Sequence, residues 1–232
     1  MKTLILILFS TFILVANDGL PKRVQTTIQN INKNGYITLS NPIPKGRSGI
    51  IIHSYGNGLF AITHTAISLG GTKASVSEYN MLKHKNLPTI KTAVKVGDKV
   101  IFGNLYNNVM LIAPDEQSYS SITKSIQRVW IHPDMYASFL LNNDKDTITL
   151  KNLKEFAIET QVGLVVILAK DGLRVLDPIS GKYLRRLPNI HYISKNPQSP
   201  FYARFEQIKS NIFSADTKSD FLPYYKGIER IK

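Results

Sequence analysis

Gly56-Asn57-Gly58-Leu59-Phe60-Ala61 spells G-x-G-x-x-A, the string with which a strand-to-helix turn cradles a dinucleotide pyrophosphate. That chemistry needs a helix opening on the glycines and an acid about 20 residues later for the ribose. Residues 59–64 read instead as a second strand, which puts the glycines in a hairpin turn. Ser121-Ile122-Thr123-Lys124 matches S-x-x-K, in which one helical turn sets a lysine beside a serine hydroxyl. Its companion S-D-N is absent and no K-T-G follows, so an exposed helix face accounts for it. Gly46-Arg47-Ser48-Gly49 misses the G-x-S-x-G nucleophile elbow by one residue. The five histidines, His53, His64, His84, His132 and His191, show neither H-x-H nor H-E-x-x-H spacing. His53 and His64 could face each other across a hairpin as a weak paired site. No catalytic constellation emerges, and no residue set calls for a metal, a cofactor or a small-molecule substrate.

The end of the chain offers binding chemistry. Phe221-Leu222-Pro223-Tyr224-Tyr225 is followed by Lys226-Gly227-Ile228-Glu229-Arg230-Ile231-Lys232. A terminal lysine carries an ammonium and a free carboxylate on one residue, with an apolar stem between. A site with an acid cluster, a basic group and an aromatic trough engages all three. Lys232 is the first candidate contact, and Arg230 and Lys226 are the nearest second contacts. Residues 226–232 read as a short basic tail, free to fray.

The elements that position these residues fall into two halves. Over residues 17–112, strands at 24–31 and 36–40 flank Lys33-Asn34-Gly35, and those at 49–54 and 59–64 flank Tyr55-Gly56-Asn57-Gly58. Those at 98–103 and 109–113 flank Tyr106-Asn107-Asn108. Such spacing predicts a small antiparallel barrel or sandwich, with residues 66–95 as a less regular excursion. Residues 113–225 change period. Pro114-Asp115-Glu116 opens one helix, Pro133-Asp134 a second, and residues 150–160 form a third. A meander through 162–169, 173–176 and 182–187 follows. The class is α+β, with no internal repeat or flexible linker, so the halves are expected to pack as one unit.

Composition sets the surroundings. Lys and Arg total 29 against 16 Asp and Glu, a formal +13, which favours acidic partners. The basic residues are dispersed, as in Lys22-Arg23, Lys83-His84-Lys85 and Arg185-Arg186, which reads as a solvated surface and not a nucleic-acid interface. Zero cysteines exclude disulfides, thiolate metal sites and cysteine nucleophiles. Lys2 followed by an apolar run from Leu4 to Val15 and by Ala16 reads as a signal peptide over residues 1–16, too short to span a bilayer. The expectation is an exported, soluble protein.

Val96-Gly97-Asp98-Lys99-Val100-Ile101-Phe102, with Asn107-Asn108 and Leu111-Ile112-Ala113-Pro114, resembles the N-terminal domain of the bacterial plasminogen-binding protein family (PgbA and PgbB). The resemblance continues through Leu87-Pro88, the hairpin at 162–176, Pro200-Phe201-Tyr202-Ala203-Arg204 and Tyr224-Tyr225. It implies a protein of the surface or periplasm of a Gram-negative bacterium that captures host plasminogen through lysines, with the terminal role falling on Lys232. The alternative is a periplasmic envelope module that binds an acidic polymer or an assembly partner.

Overall fold

The computed structural model describes residues 18–32, 34–79, 92–145, 147–188, 194–204 and 223–231. The first half runs β1 (Val24–Ile31), β2 (Tyr36–Leu39), β3 (Ser48–Gly56), β4 (Leu59–Gly70), β5 (Lys73–Glu78) and β6 (Lys99–Phe102). These six strands close into an antiparallel barrel in the order β1-β2-β5-β4-β3-β6. Alternate side chains, among them Ile28, Leu39, Ile51, Ala66, Val100 and Phe102, fill its interior. The β3–β4 turn takes positive φ at Gly56, Asn57 and Gly58, which Gly and Asn tolerate, so the glycines of G-x-G-x-x-A are hairpin residues as their sequence suggests.

Part of the excursion expected at 66–95 is regular. Residues 66–70 complete β4, and Lys73–Glu78 forms β5 with Ala74 turned into the barrel. Its Ala and Ser residues carry little strand propensity, and its pairing with β2 and β4 supplies what propensity does not.

The second half contains β7 (Asn108–Ile112), α1 (Glu116–Ser125), β8 (Val129–Ile131), α2 (Pro133–Asn142), α3 (Leu150–Thr160), β9 (Leu164–Ala169), β10 (Gly172–Asp177), β11 (Lys182–Leu187) and α4 (Tyr224–Glu229). The hairpin expected across Tyr106-Asn107-Asn108 does not form. β7 leaves the barrel and becomes an inner strand of a five-stranded sheet, β11-β10-β9-β7-β8, parallel to both β8 and β9. Val109 to Ile112 are buried on both faces, as an inner parallel strand requires. The β9–β10–β11 meander is antiparallel, as expected.

Side chains alternate across this sheet into two cores. Val109, Leu111, Val166 and Leu168 pack with Ile122 of α1 and with Ile126 just past its end. Met110, Ile112, Val165 and Ile167 pack with Tyr136 and Leu140 of α2, Phe156 of α3, and Tyr224 and Ile228 of α4. Asp115 caps α1 by accepting the Ser118 N–H at 2.7 Å, and Thr149 caps α3 by accepting that of Asn152 at 3.1 Å.

The halves meet at Asp177, which is wholly buried. Its Oδ2 accepts from the Ser48 N–H at 2.8 Å, the Ser48 hydroxyl at 2.7 Å and the Tyr106 hydroxyl at 2.7 Å. Its Oδ1 accepts the Ser180 N–H at 3.0 Å. Burial, and then the adjacent carboxylate, push the Tyr106 phenol far up, which keeps it protonated as a donor.

Candidate functional site

The sequence points to the basic end of the chain, and the fold determines how it is presented. Tyr224, Ile228 and Ile231 recur at i, i+4 and i+7 and bury one stripe of the C-terminal segment. The Tyr224 hydroxyl lies 3.0 Å from the Ile112 carbonyl and 2.8 Å from that of Leu168, and burial keeps its phenol protonated. The fraying expected of residues 226–232 is therefore not found through Ile231, which is 5% exposed. A single turn of polar chain would fray, but this one is pinned by three apolar anchors that the sheet and helices enclose. Lys232 lies outside the described residues.

Anchoring that stripe turns Lys226, Glu229 and Arg230 to solvent. Lys226 and Arg230 are four residues apart, which places them on one side of the helix. Tyr225 accepts the Ser194 N–H at 3.3 Å, and the Lys170 ammonium lies 5.6 Å from the centre of its ring. Lys170 thus joins the helix as a further exposed cation that sequence reasoning missed. Its only sequence signal is the Lys170-Asp171-Gly172 turn, which does not say what packs beside it.

Other chemistry-bearing strings do structural work. Ser48 spends its hydroxyl on Asp177, and Ser121 and Lys124 are exposed on α1. His53 and His64 do not face each other: His53 is opposite Ala61 and His64 opposite Ile51. The β3–β4 turn sets this register: closing at Gly56 opposite Leu59, it leaves the two histidines two to three positions out of step. His53 Nδ1 lies 2.6 Å from Asp98 Oδ1, and Asp98 Oδ2 accepts the Lys95 N–H, so this pair ties β3 to the loop before β6. His84, His191 and the Leu87-Pro88 pair lie outside the described residues. Among the described residues, no three His, Asp or Glu side chains gather to hold a metal.

His64 and His132 are each held below the ordinary imidazole range, chiefly by burial, which nearby acids only partly oppose. His132 also caps α2, its Nδ1 accepting the Asp134 N–H at 3.2 Å, and an acceptor there must be unprotonated. A depressed histidine takes up its proton more readily in the unfolded chain. Its contribution is therefore complete above about pH 6.5 and is lost as pH falls through the folded-state value. Urea midpoints should fall on acidification from pH 7, and the slope should flatten in His64→Gln/His132→Gln. An unchanged slope would contradict the assignment.

The exposed chemistry of this face suits binding more than bond breaking. The family described as "Plasminogen-binding protein pgbA N-terminal" matches residues 23–228, and the chain belongs to that family. It is 26% identical over 169 residues to the plasminogen-binding protein PgbA of Helicobacter pylori strain J99, an overlap of 70% of this chain and 37% of that one. Against PgbA of strain 26695 it is 25% identical over 169 residues, 70% of this chain and 36% of the relative. The matched region thus spans little more than a third of the length of these curated relatives. No solved structure matches.

The residues that carry the family resemblance are mainly core. Phe102, Leu111, Ile112, Ala113, Phe201 and Tyr224 are all buried. They specify the fold. Of the candidate contacts, Lys226 lies inside the family match, and Arg230 and Lys232 follow it.

Proposed function

We propose that this chain is exported and binds plasminogen through the basic face of α4, with Lys226 and Arg230 as contacts and Lys232 beyond them. The reading is carried by membership in a family named for plasminogen binding, over residues 23–228. The exposed pair on an anchored segment supports it, because with the backbone already fixed only side-chain freedom is lost on capture.

Magnitude argues for more than one contact. A lysine has about ten heavy atoms, and efficiencies of roughly −0.3 to −1.5 kcal/mol per atom bound a single capture at about −3 to −15 kcal/mol. Near the weak end that is only millimolar, so a second cation or several copies on a surface are needed for useful retention. Lys226→Ala/Arg230→Ala should raise the Kd for plasminogen about tenfold or more in surface plasmon resonance, with far-UV circular dichroism unchanged. Deleting Lys232 as well should weaken binding further. Equal binding by all forms would sink the lysine mechanism.

Export rests on the short basic end and apolar run of residues 1–16. N-terminal sequencing of the protein outside the cytoplasm should begin at Asn17. Intact Met1 in a membrane pellet would mean that the run is retained as an anchor. Protease added to intact cells should clip a surface protein and spare a periplasmic one.

A second reading, an envelope module for an acidic polymer, draws on β11. Lys182, Tyr183, Arg185 and Arg186 are exposed on this edge strand. Arg185 and Arg186 already bond the Gly19 and Asp171 carbonyls, which ties part of that charge down. Loss of polymer binding in Lys182→Gln/Arg185→Gln, with plasminogen binding absent, would bring this reading forward.

A further inference from the structure

The barrel strands alternate in direction, so the β1–β2 and β3–β4 turns and the chain between β5 and β6 all emerge at one end. The opposite end, with Ser48 and Gly46, is bonded to Asp177 and Ser180 of the second sheet. Ten large apolar side chains are exposed among the described residues, and six of them sit at the free end: Ile31, Tyr36, Tyr55, Leu59, Phe60 and Val96. Scattered exposed apolar residues need no explanation, but their collection at one end of a barrel does.

The β3–β4 hairpin projects from that end. Ser54, Gly56, Leu59 and Phe60 pair only across the hairpin, with no flanking strand. Leu59 and Phe60 are 65% and 63% exposed, and residues 54–63 contain no charged side chain. Beneath them Lys95 and Lys99 are exposed, while Asp98 is buried on His53. Among the described residues, Glu78 is the exposed acid of this end, paired in register with His64. The free end is thus an uncharged apolar finger above a mainly basic collar, on a chain of formal charge +13.

We propose that this end of the barrel docks on the surface of an anionic phospholipid bilayer. Leu59 and Phe60 enter the acyl boundary, Tyr36 lies at headgroup depth with its hydroxyl in water, Tyr55 lies beside it with its hydroxyl bonded to that of Thr92, and Lys95 and Lys99 meet headgroup phosphates. No helix among the described residues is long and apolar enough to cross a membrane, so the contact is surface docking by a hairpin tip. A lipid surface needs no matching shape, and the collar has the sign that anionic headgroups attract.

The proposal does not depend on plasminogen binding, and its test separates the two. The exported form is floated with vesicles of phosphatidylglycerol and phosphatidylcholine, and with phosphatidylcholine alone. Wild-type and variant proteins share one background, so any contribution of residues 1–16 cancels. The wild type should float with the anionic vesicles and release as salt rises. Leu59→Ser/Phe60→Ser should reduce flotation at least tenfold with circular dichroism and plasminogen binding unchanged. Lys95→Gln/Lys99→Gln should weaken only the anionic arm and flatten its salt dependence. The proposal is overturned if the wild type ignores both vesicles or if the tip variant floats equally well. It is also overturned if the wild type self-associates without lipid while the tip variant stays monomeric, which would make the occupant a second copy.

Discussion

Asp177→Ala is expected to lower the free energy of unfolding by about 3–5 kcal/mol, a large part of the total for a domain of this size. One buried carboxylate satisfies four donors drawn from three separated stretches: Ser48 at the head of β3, Tyr106 in the chain between β6 and β7, and Ser180 in the turn after β10. Alanine strands all four, three of them in buried bonds. The largest penalty falls on the Ser48 N–H, which cannot turn to a new partner without moving backbone. Asp177→Asn should recover only part, since its amide oxygen can stand in for Oδ2 as acceptor while its nitrogen presents hydrogens to the Ser180 N–H, itself a donor. Chemical denaturation gives the measurement. A midpoint within about 1 kcal/mol of wild type would mean that apolar packing alone joins the barrel to the sheet.

Gly163→Ala is expected to cost on the order of 4 kcal/mol or to abolish soluble folding. A Cβ at Gly163 would sit 2.1 Å from the Leu105 carbonyl oxygen and 2.7 Å from the Tyr106 nitrogen. These are backbone atoms, so no side chain can swing aside. The Leu105 carbonyl also accepts the Asn108 N–H at 2.9 Å, and the Gly163 N–H donates to the Asn108 carbonyl at 2.9 Å. Relief of the clash would pull β9 from β7 and disturb the turn that carries Tyr106 to Asp177. Gly35→Ala offers the contrast. Its φ of +75° is strained for alanine, but nothing lies within 4 Å, so the cost should stay near 1 kcal/mol. Equal losses at the two positions would contradict an origin in backbone crowding.

What the sequence makes legible is local. Asn34-Gly35 and Gly56-Asn57-Gly58 are hairpin turns because their backbone needs are met by those residue types. The helix opening at Pro114-Asp115-Glu116 is legible to within two residues: Asp115 proves to be the cap outside α1, its carboxylate on the Ser118 N–H, and not part of the first turn. The destination of β7 is not local. Val109 to Ile112 followed a turn signal and lay a few residues from β6, yet they pair with β9 some fifty residues later. A continuous apolar run was available as a sign of burial on both faces, and β9 has the same character. The Asp177 node is similarly hidden, because its partners lie 71 and 129 residues away. At the C-terminus, the cations of α4 were legible as residues but their presentation was not. Charge suggested a loose tail, whereas Tyr224, Ile228 and Ile231 together hold it down, and Lys170 comes to Tyr225 only through the fold.

The central claim is capture of plasminogen through lysine-like contacts, and competition tests it most directly. Plasminogen is immobilised, the protein is flowed over it at a fixed concentration, and a free lysine analogue is titrated in. The account predicts saturable binding that the analogue abolishes, with Lys226→Ala/Arg230→Ala requiring less analogue for half-displacement than the wild type. Binding that persists unchanged at saturating analogue, or no binding at all by the folded protein, would contradict it.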